Sequence, residues 1–355
     1  MNTKIILGIL ISGALSVSMF AKGDNITVNE MTRKKTDLTN YRVVIMADPQ
    51  PWRLSRPYDL DPNSKKSRGP WLEVNKKVSN TIRNHSGVYF YIVNGDLTEF
   101  GREVTYKDYA NVYKKNKVPV YEGMGNHDYA NNVGDCTIPG KINTSKDACA
   151  ISAIKRMANN MDKKYSKELV NFSKHLHKNF FTGIPGNSQE RFEGSLSYSW
   201  DFGDIHYVQL QNYPTYQVPR LKDSATIVDI EKSLNWLEKD LGEADKRGKA
   251  TIINFHDGND HFIYESSESD LNKFKSIITK YNVKAIFLGH THHQSYSRAK
   301  DDKVYGNIPV YTAGALFDGD YYLLEVTGKV INVKAFNALN NTEKNLGNIG
   351  EDADK

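Results

Sequence analysis

Five short stretches of this chain carry side chains able to bind a cation. They are Asp48-Pro49-Gln50, Gly95-Asp96, Gly125-Asn126-His127-Asp128, His256 and Gly289-His290-Thr291-His292-His293. Carboxylate, amide and imidazole donors in this mixture suit a borderline metal such as Fe, Zn, Mn, Co or Ni. They are too many for one tetrahedral ion and sufficient for two ions that share a carboxylate. Each stretch alone is weak, because a Gly-Asp pair occurs constantly by chance. Solvated loop residues are the bland alternative for the three late histidines. The readings separate on whether the stretches meet in space.

The elements before them favour a meeting. "YRVVIMA" runs into Asp48, "VYFYIVN" into Gly95-Asp96, "VPVYEGM" into "GNHD", "ATIINF" into His256, and "VKAIFL" into Gly289-His290. Short β-branched and aromatic runs of this kind read as buried strands. Helical stretches lie between them: "WLEVNKKVSNTIRNH", "DYANVYKKN", "IEKSLNWLEKDLGEADKRG" and "ESDLNKFKSIITKY". The alternation predicts βαβ units with parallel strands. In such sheets ligands gather in the crevice beyond the carboxyl ends of the strands. A hairpin is expected around "DFGD" at 201–204, and further strands over 308–337 suggest a second sheet. The lysine-rich segment 151–180 reads as a helical surface cap, and 339–355 as a flexible tail.

Composition narrows the class. The chain has 355 residues, 39% hydrophobic and 25% charged, which suits an ordinary globular protein with a sizeable core. Its 47 basic and 42 acidic residues leave a formal charge of +5. That is too weak for a nucleic-acid footprint, and no basic stripe is interleaved with aromatics. Residues 1–21 have the form of a signal peptide: Lys4, an apolar run over 5–20, then small residues. The run is shorter than the ~20 residues that span a bilayer, so no anchor is expected after processing. Residues 22–40 read as a loose lead-in. A periplasmic or secreted location follows as an expectation. The two cysteines, Cys136 and Cys149, then suggest a disulfide, which would contribute about 3 kcal/mol on the chain-entropy account.

Taken together and in order, the motifs resemble those of the calcineurin-like metallophosphoesterase superfamily over residues 41–320. The resemblance implies a four-layer α/β-β/α sandwich of two mixed sheets flanked by helices. It implies one domain over 41–338, with an insert at about 131–194. It also implies two metal ions. One would be held by Asp48, Gln50, Asp96 and His292, the other by Asp96, Asn126, His256 and His290. His127 would lie beside the phosphate as the proton donor to the leaving oxygen, with Asp128 orienting its ring. The physical logic agrees. A phosphate ester is anionic and repels hydroxide, so its hydrolysis needs positive charge and an activated water. The expected activity is metal-dependent hydrolysis of small phosphate esters by attack of a metal-activated hydroxide, most simply of monoesters. A phosphodiesterase for cyclic nucleotides or phospholipid head groups is the alternative within enzymes, and a metal-depleted binding protein the alternative outside them. Protein partners are not indicated.

The first motif departs from the family's usual His at its third position. "DPQ" is similar to a purple-acid-phosphatase-like subgroup. Gln50 either ligates through its oxygen, lines the site, or marks a loose or empty first site. Glu99 stands where purple acid phosphatases carry a ligand Tyr, so no purple chromophore is expected. Substrate contacts are indicated at Arg53, Arg56 and Arg102, which suit bidentate phosphate binding, and at Asn212 and Tyr213. Trp52, Tyr129 and Tyr216 are candidates for an aromatic wall.

Overall fold

A computed structural model describes residues 38–55, 61–115, 117–136, 145–182, 188–297 and 300–349. The expected signal peptide, most of the lead-in and Arg56 lie outside them. Strands β1 (Asn40–Met46), β2 (Val88–Val93) and β3 (Val120–Glu122) run parallel. They are joined by helices α1 (Lys65–Arg83) and α2 (Glu103–Tyr113). Helix α3 (Ala148–Asn160) follows, then β4 (Val170–Lys174), β5 (His177–Thr182) and β6 (Ser188–Gly194). The hairpin around "DFGD" is β7 (Tyr198–Phe202) and β8 (Ile205–Gln209). Next come β9 (Val218–Lys222), β10 (Thr226–Ile230), α4 (Leu234–Lys246) and β11 (Ala250–Asn254). The short α5 (His261–Glu265) and α6 (Glu268–Lys280) lead to β12 (Val283–Leu288). Strands β13 (Gln294–Ser297), β14 (Val310–Ala313), β15 (Asp320–Thr327), β16 (Val330–Asn337) and β17 (Thr342–Asn348) complete the chain.

Two mixed sheets follow from the pairing. One has the order β17-β16-β15-β1-β2-β3 and the other β13-β14-β12-β11-β8-β7-β4. Their inner faces share one apolar core. Phe90 on β2 sits with its ring 5.1 Å from Tyr207 on β8 and 6.0 Å from Trp200 on β7. Such edge-on aromatic pairs add to the area they bury. The outer face of the seven-stranded sheet carries a second apolar cluster, in which Leu237 and Leu241 of α4 and Phe274 and Ile278 of α6 meet Ile253 and Ile286. Helices α1 and α2 cover the other outer face, burying Trp71, Val78, Tyr109 and Tyr113. The expected layered α/β architecture is present.

Three features differ from the expectation. The segment 151–180 is helical as far as Glu168 and then changes to strand. Val170–Lys174 pairs with β7 and His177–Thr182 with β6. Its lysines lie on a surface whose other side buries Ile151, Ile154 and Met157, so amphipathic burial was masked by charge. Strands β5, β6, β10 and β9 form a small third sheet that the pattern did not announce. Within 339–355, Thr342–Asn348 is an edge strand paired with β16. Edge strands are often polar, and a polar edge leaves no hydrophobic alternation to read. Cys136 and Cys149 are buried and disulfide-bonded, with Cα atoms 5.4 Å apart.

Candidate metal centre

The five stretches converge where the parallel strands of both sheets end. The local backbone explains how. Asp48, Gln50, Asp96, His290 and His292 all have positive φ, at 53°, 28°, 50°, 73° and 59°. Each such conformation costs a non-glycine residue on the order of 1–3 kcal/mol and persists only where the surroundings enforce it. Left-handed turns at the strand exits swing these side chains inward. Gly95 and Gly125 let the turns approach. A Cβ on Gly95, whose φ is +85°, would stand 2.6 Å from the Gly125 amide nitrogen, and one on Gly125 would stand 2.2 Å from Asp96 Oδ1.

Two donor groups result, with Asp96 between them. On one side His292 Nε2 lies 3.4 Å from Asp48 Oδ1, and Asp48, Asp96 and His292 can all direct donor atoms within 4.8 Å of one another. The Gln50 amide nitrogen donates to Asp96 Oδ2 at 3.0 Å. On the other side Asn126 Oδ1 lies 2.9 Å from His256 Nε2 and 3.1 Å from His290 Nδ1. His256 Nε2 is also 3.3 Å from Asp96 Oδ2. Its other nitrogen, Nδ1, donates to the Asn94 carbonyl at 2.7 Å, which turns Nε2 toward the crevice.

These residues fit a pair of cations. Asp48 Oδ1 and Gln50 Oε1 are buried acceptors with no hydrogen-bond partner, a costly state that a cation relieves. Burial depresses the His256 imidazole, but the Asp96 and Asp48 carboxylates outweigh it and raise its pKa to about 10. Burial likewise raises Asp96, and the His256 and His127 rings together with their hydrogen bonds outweigh it and hold Asp96 below the usual carboxylate range. The crevice as built calls for positive charge.

His127 lies at the edge, its side chain 22% exposed. Its Nδ1 donates to the Glu99 carbonyl at 3.1 Å and stands 3.5 Å from a Glu99 carboxylate oxygen. This corrects the expectation for Asp128. The Asp128 carboxylate turns away from the ring and accepts from the amides of Leu97, Thr98 and Gly125 and from the Thr98 hydroxyl, at 2.9 to 3.1 Å. It ties the exit of β3 to the exit of β2. Glu99, in contrast, is buried, and burial raises its pKa.

The expected substrate contacts divide. Arg53 reaches within 3.7 Å of the Glu99 carboxylate and so faces the His127 side. Arg102 donates to Asn63 and lies over Phe100, in a surface arrangement of its own. Asn212 is buried; its backbone carbonyl accepts from the amides of His256 and Asp257, while its side-chain oxygen has no partner. The Tyr213 hydroxyl donates to Glu265 at 2.6 Å. Trp52 and Tyr129 are buried, Trp52 donating to Asp108 and Tyr129 packing edge-on against Tyr216. These rings are core rather than a wall. His293 is exposed. Sequence reasoning passed over Asp257, Asp260 and His261, which surround the outer side of His290; the run "HDGNDH" at 256–261 was the available signal.

The profile of the calcineurin-like phosphoesterase family matches residues 41–294. The solved structure of a dimetal phosphatase from Danio rerio aligns over 86% of this chain and 98% of its own, at 10% identity and a TM-score of 0.50. A metallophosphoesterase from Sphaerobacter thermophilus aligns over 84% and 88%, at 11% identity and a TM-score of 0.32. None of the curated proteins compared with the chain matches it.

Proposed function

The chain belongs to the calcineurin-like phosphoesterase family and is a metal-dependent phosphoric ester hydrolase, and on that premise we propose that it is an exported phosphatase of small phosphate monoesters. The observation that carries the proposal is the convergence of Asp48, Gln50, Asp96, Asn126, His256, His290 and His292, from both sheets, on one buried crevice with orphaned acceptors. Asp48, Gln50, Asp96 and His292 would hold one ion, and Asp96, Asn126, His256 and His290 the other. A bound pair supplies positive charge for the phosphoryl oxygens and activates the attacking water.

The chain's own residues do the rest. His127 stands beside the crevice, and in its charged form it delivers a proton to the departing alkoxide. Glu99 accepts from its Nδ1 through the backbone carbonyl and sets the ring's orientation. Asp128 acts at one remove, by fixing the turn that carries Asn126 and His127. Arg53 adds a further positive group on the His127 side, which favours the doubly charged monoester over a diester. Export is supported by the apolar run over 5–20 and by the Cys136–Cys149 bridge, a bond typical of oxidising compartments. Among the described residues no helix is long and apolar enough to cross a membrane.

The test is turnover of p-nitrophenyl phosphate against bis-p-nitrophenyl phosphate by protein loaded with Mn or Zn. Faster release from the monoester is expected. Preference for the bis-ester would move the assignment to a phosphodiesterase, and inertness toward both with metal bound would leave a binding protein.

A further inference from the structure

A second set of donors stands on the solvent side of His290. Asp257 is buried; its Oδ2 accepts from His261 Nδ1 at 2.5 Å and lies 3.5 Å from His290 Nε2. Asp260 Oδ2 is also 3.5 Å from His290 Nε2. These two separations exceed a hydrogen bond. They match the roughly 3.4 Å between two ligands of one tetrahedral ion whose bonds are about 2.0–2.1 Å, whereas the Asp257–His261 contact is a hydrogen bond that must open by about 1 Å when both side chains bind. The donors in the crevice show similar spacing, 3.1 Å between His290 Nδ1 and Asn126 and 3.4 Å between His292 Nε2 and Asp48. His290 therefore presents one ring nitrogen to the crevice and the other to a second group of donors. Asp257, His261 and His290 can direct donor atoms within 4.8 Å of one another.

We propose that Asp257, Asp260, His261 and His290 Nε2 form a third cation site, on the outer side of the crevice, for a borderline divalent ion such as Zn or Co. Two carboxylates and two imidazoles are a donor set such ions accept. The side chains of His261 and Asp260 are 38% and 56% exposed, so the ion loads from solvent. Loading moves protons. His261 Nδ1 gives up the hydrogen it shares with Asp257, and His290 Nε2 gives up its own, so that the ring bridges to the crevice as an imidazolate. At least one proton leaves for each ion bound, and affinity rises with pH. The proposal rests on the binuclear reading through His290 alone.

The experiment uses the full chain, stripped by chelation and titrated with Co, with bound equivalents read by elemental analysis and tetrahedral Co by visible absorption. Wild type is expected to hold three equivalents. His261→Ala and Asp260→Asn should hold two and lose the last absorption increment, while His177→Ala, at an exposed position elsewhere, should keep three. Two equivalents in wild type and in every variant would overturn the third site. The cluster would then be hydrogen-bonded support for His290, with the binuclear reading intact. One equivalent or none in wild type would contradict both.

Discussion

Strand β8 has a polar cluster near each end, and the two are built on opposite rules. Near its start His206 donates from Nδ1 to Asp201 at 2.7 Å and from Nε2 to Asp240 at 2.9 Å. Arg247 makes two bonds to Asp201, Asn171 a third, and Ser199 donates to Asp240. Every charge there has a partner. Beyond its exit, beside Asn212, the crevice leaves acceptors of Asp48, Gln50 and Asn212 unpartnered and holds five of the nine described non-glycine residues with positive φ. Asn171 is the one left-handed residue of the first cluster, and Asn tolerates that conformation best. A cluster that stabilises the fold satisfies itself, whereas a cluster kept for a ligand stores strain and unmet valence until the ligand arrives.

Substitutions at the two ends should therefore fail in opposite ways. The largest effect is expected from Asp96→Asn, which removes the carboxylate placed between both donor groups. Turnover should fall to background and the crevice should lose its metal. His127→Ala should lower kcat by about 10²–10⁴-fold, the range for a general acid, while metal content stays intact. Metal loss in that variant would overturn the role given to His127. His206→Ala should show the reverse pattern: about 3–5 kcal/mol of stability lost, because the buried Asp240 loses its counter-charge and Asp201 is left to Arg247 and Asn171, with metal stoichiometry unchanged. Denaturant titration beside metal analysis distinguishes these outcomes.

Two smaller effects sharpen the contrast. Chelation should lower the stability of wild type by about 2.7 kcal/mol for each ion removed from a state loaded at a hundredfold the Kd. The loss should be smaller in Asp96→Asn, as measured by thermal unfolding. The second effect concerns pH. Burial alone would lower the pKa of His206, but Asp201 and Asp240 outweigh it and hold it above the ordinary value. The native state then binds the extra proton. Its contribution is complete below the unfolded pKa of about 6.5, declines as pH rises above that, and is lost past the raised native value. The stability advantage of wild type over His206→Ala should shrink from pH 6 toward alkaline pH, and a flat difference would contradict the assignment.

The crevice was legible in the sequence because its chemistry restricts residue type at each exit: "GNHD" and "GHTH" each follow a β-branched and aromatic run of buried-strand type. Direction was not legible. Asp128 adjoins His127 in the chain, yet its carboxylate is drawn to the amides of Leu97 and Thr98, and Glu99, 28 positions earlier, takes the ring instead. Adjacency says nothing about which way a side chain turns. The aromatic residues near the site misled for a related reason: Trp52 and Tyr129 look the same as sequence whether they face a ligand or the core. β17 escaped because a polar edge strand gains its order from backbone pairing, which side-chain periodicity does not record.

The central claim is tested most directly by anomalous scattering from crystals grown with Mn or Zn. Within the crevice two peaks about 3.5–4 Å apart are expected, bracketing the Asp96 carboxylate, with Gln50 on one and Asn126 on the other. A single peak, or peaks with Asp96 bound to neither, would contradict the account.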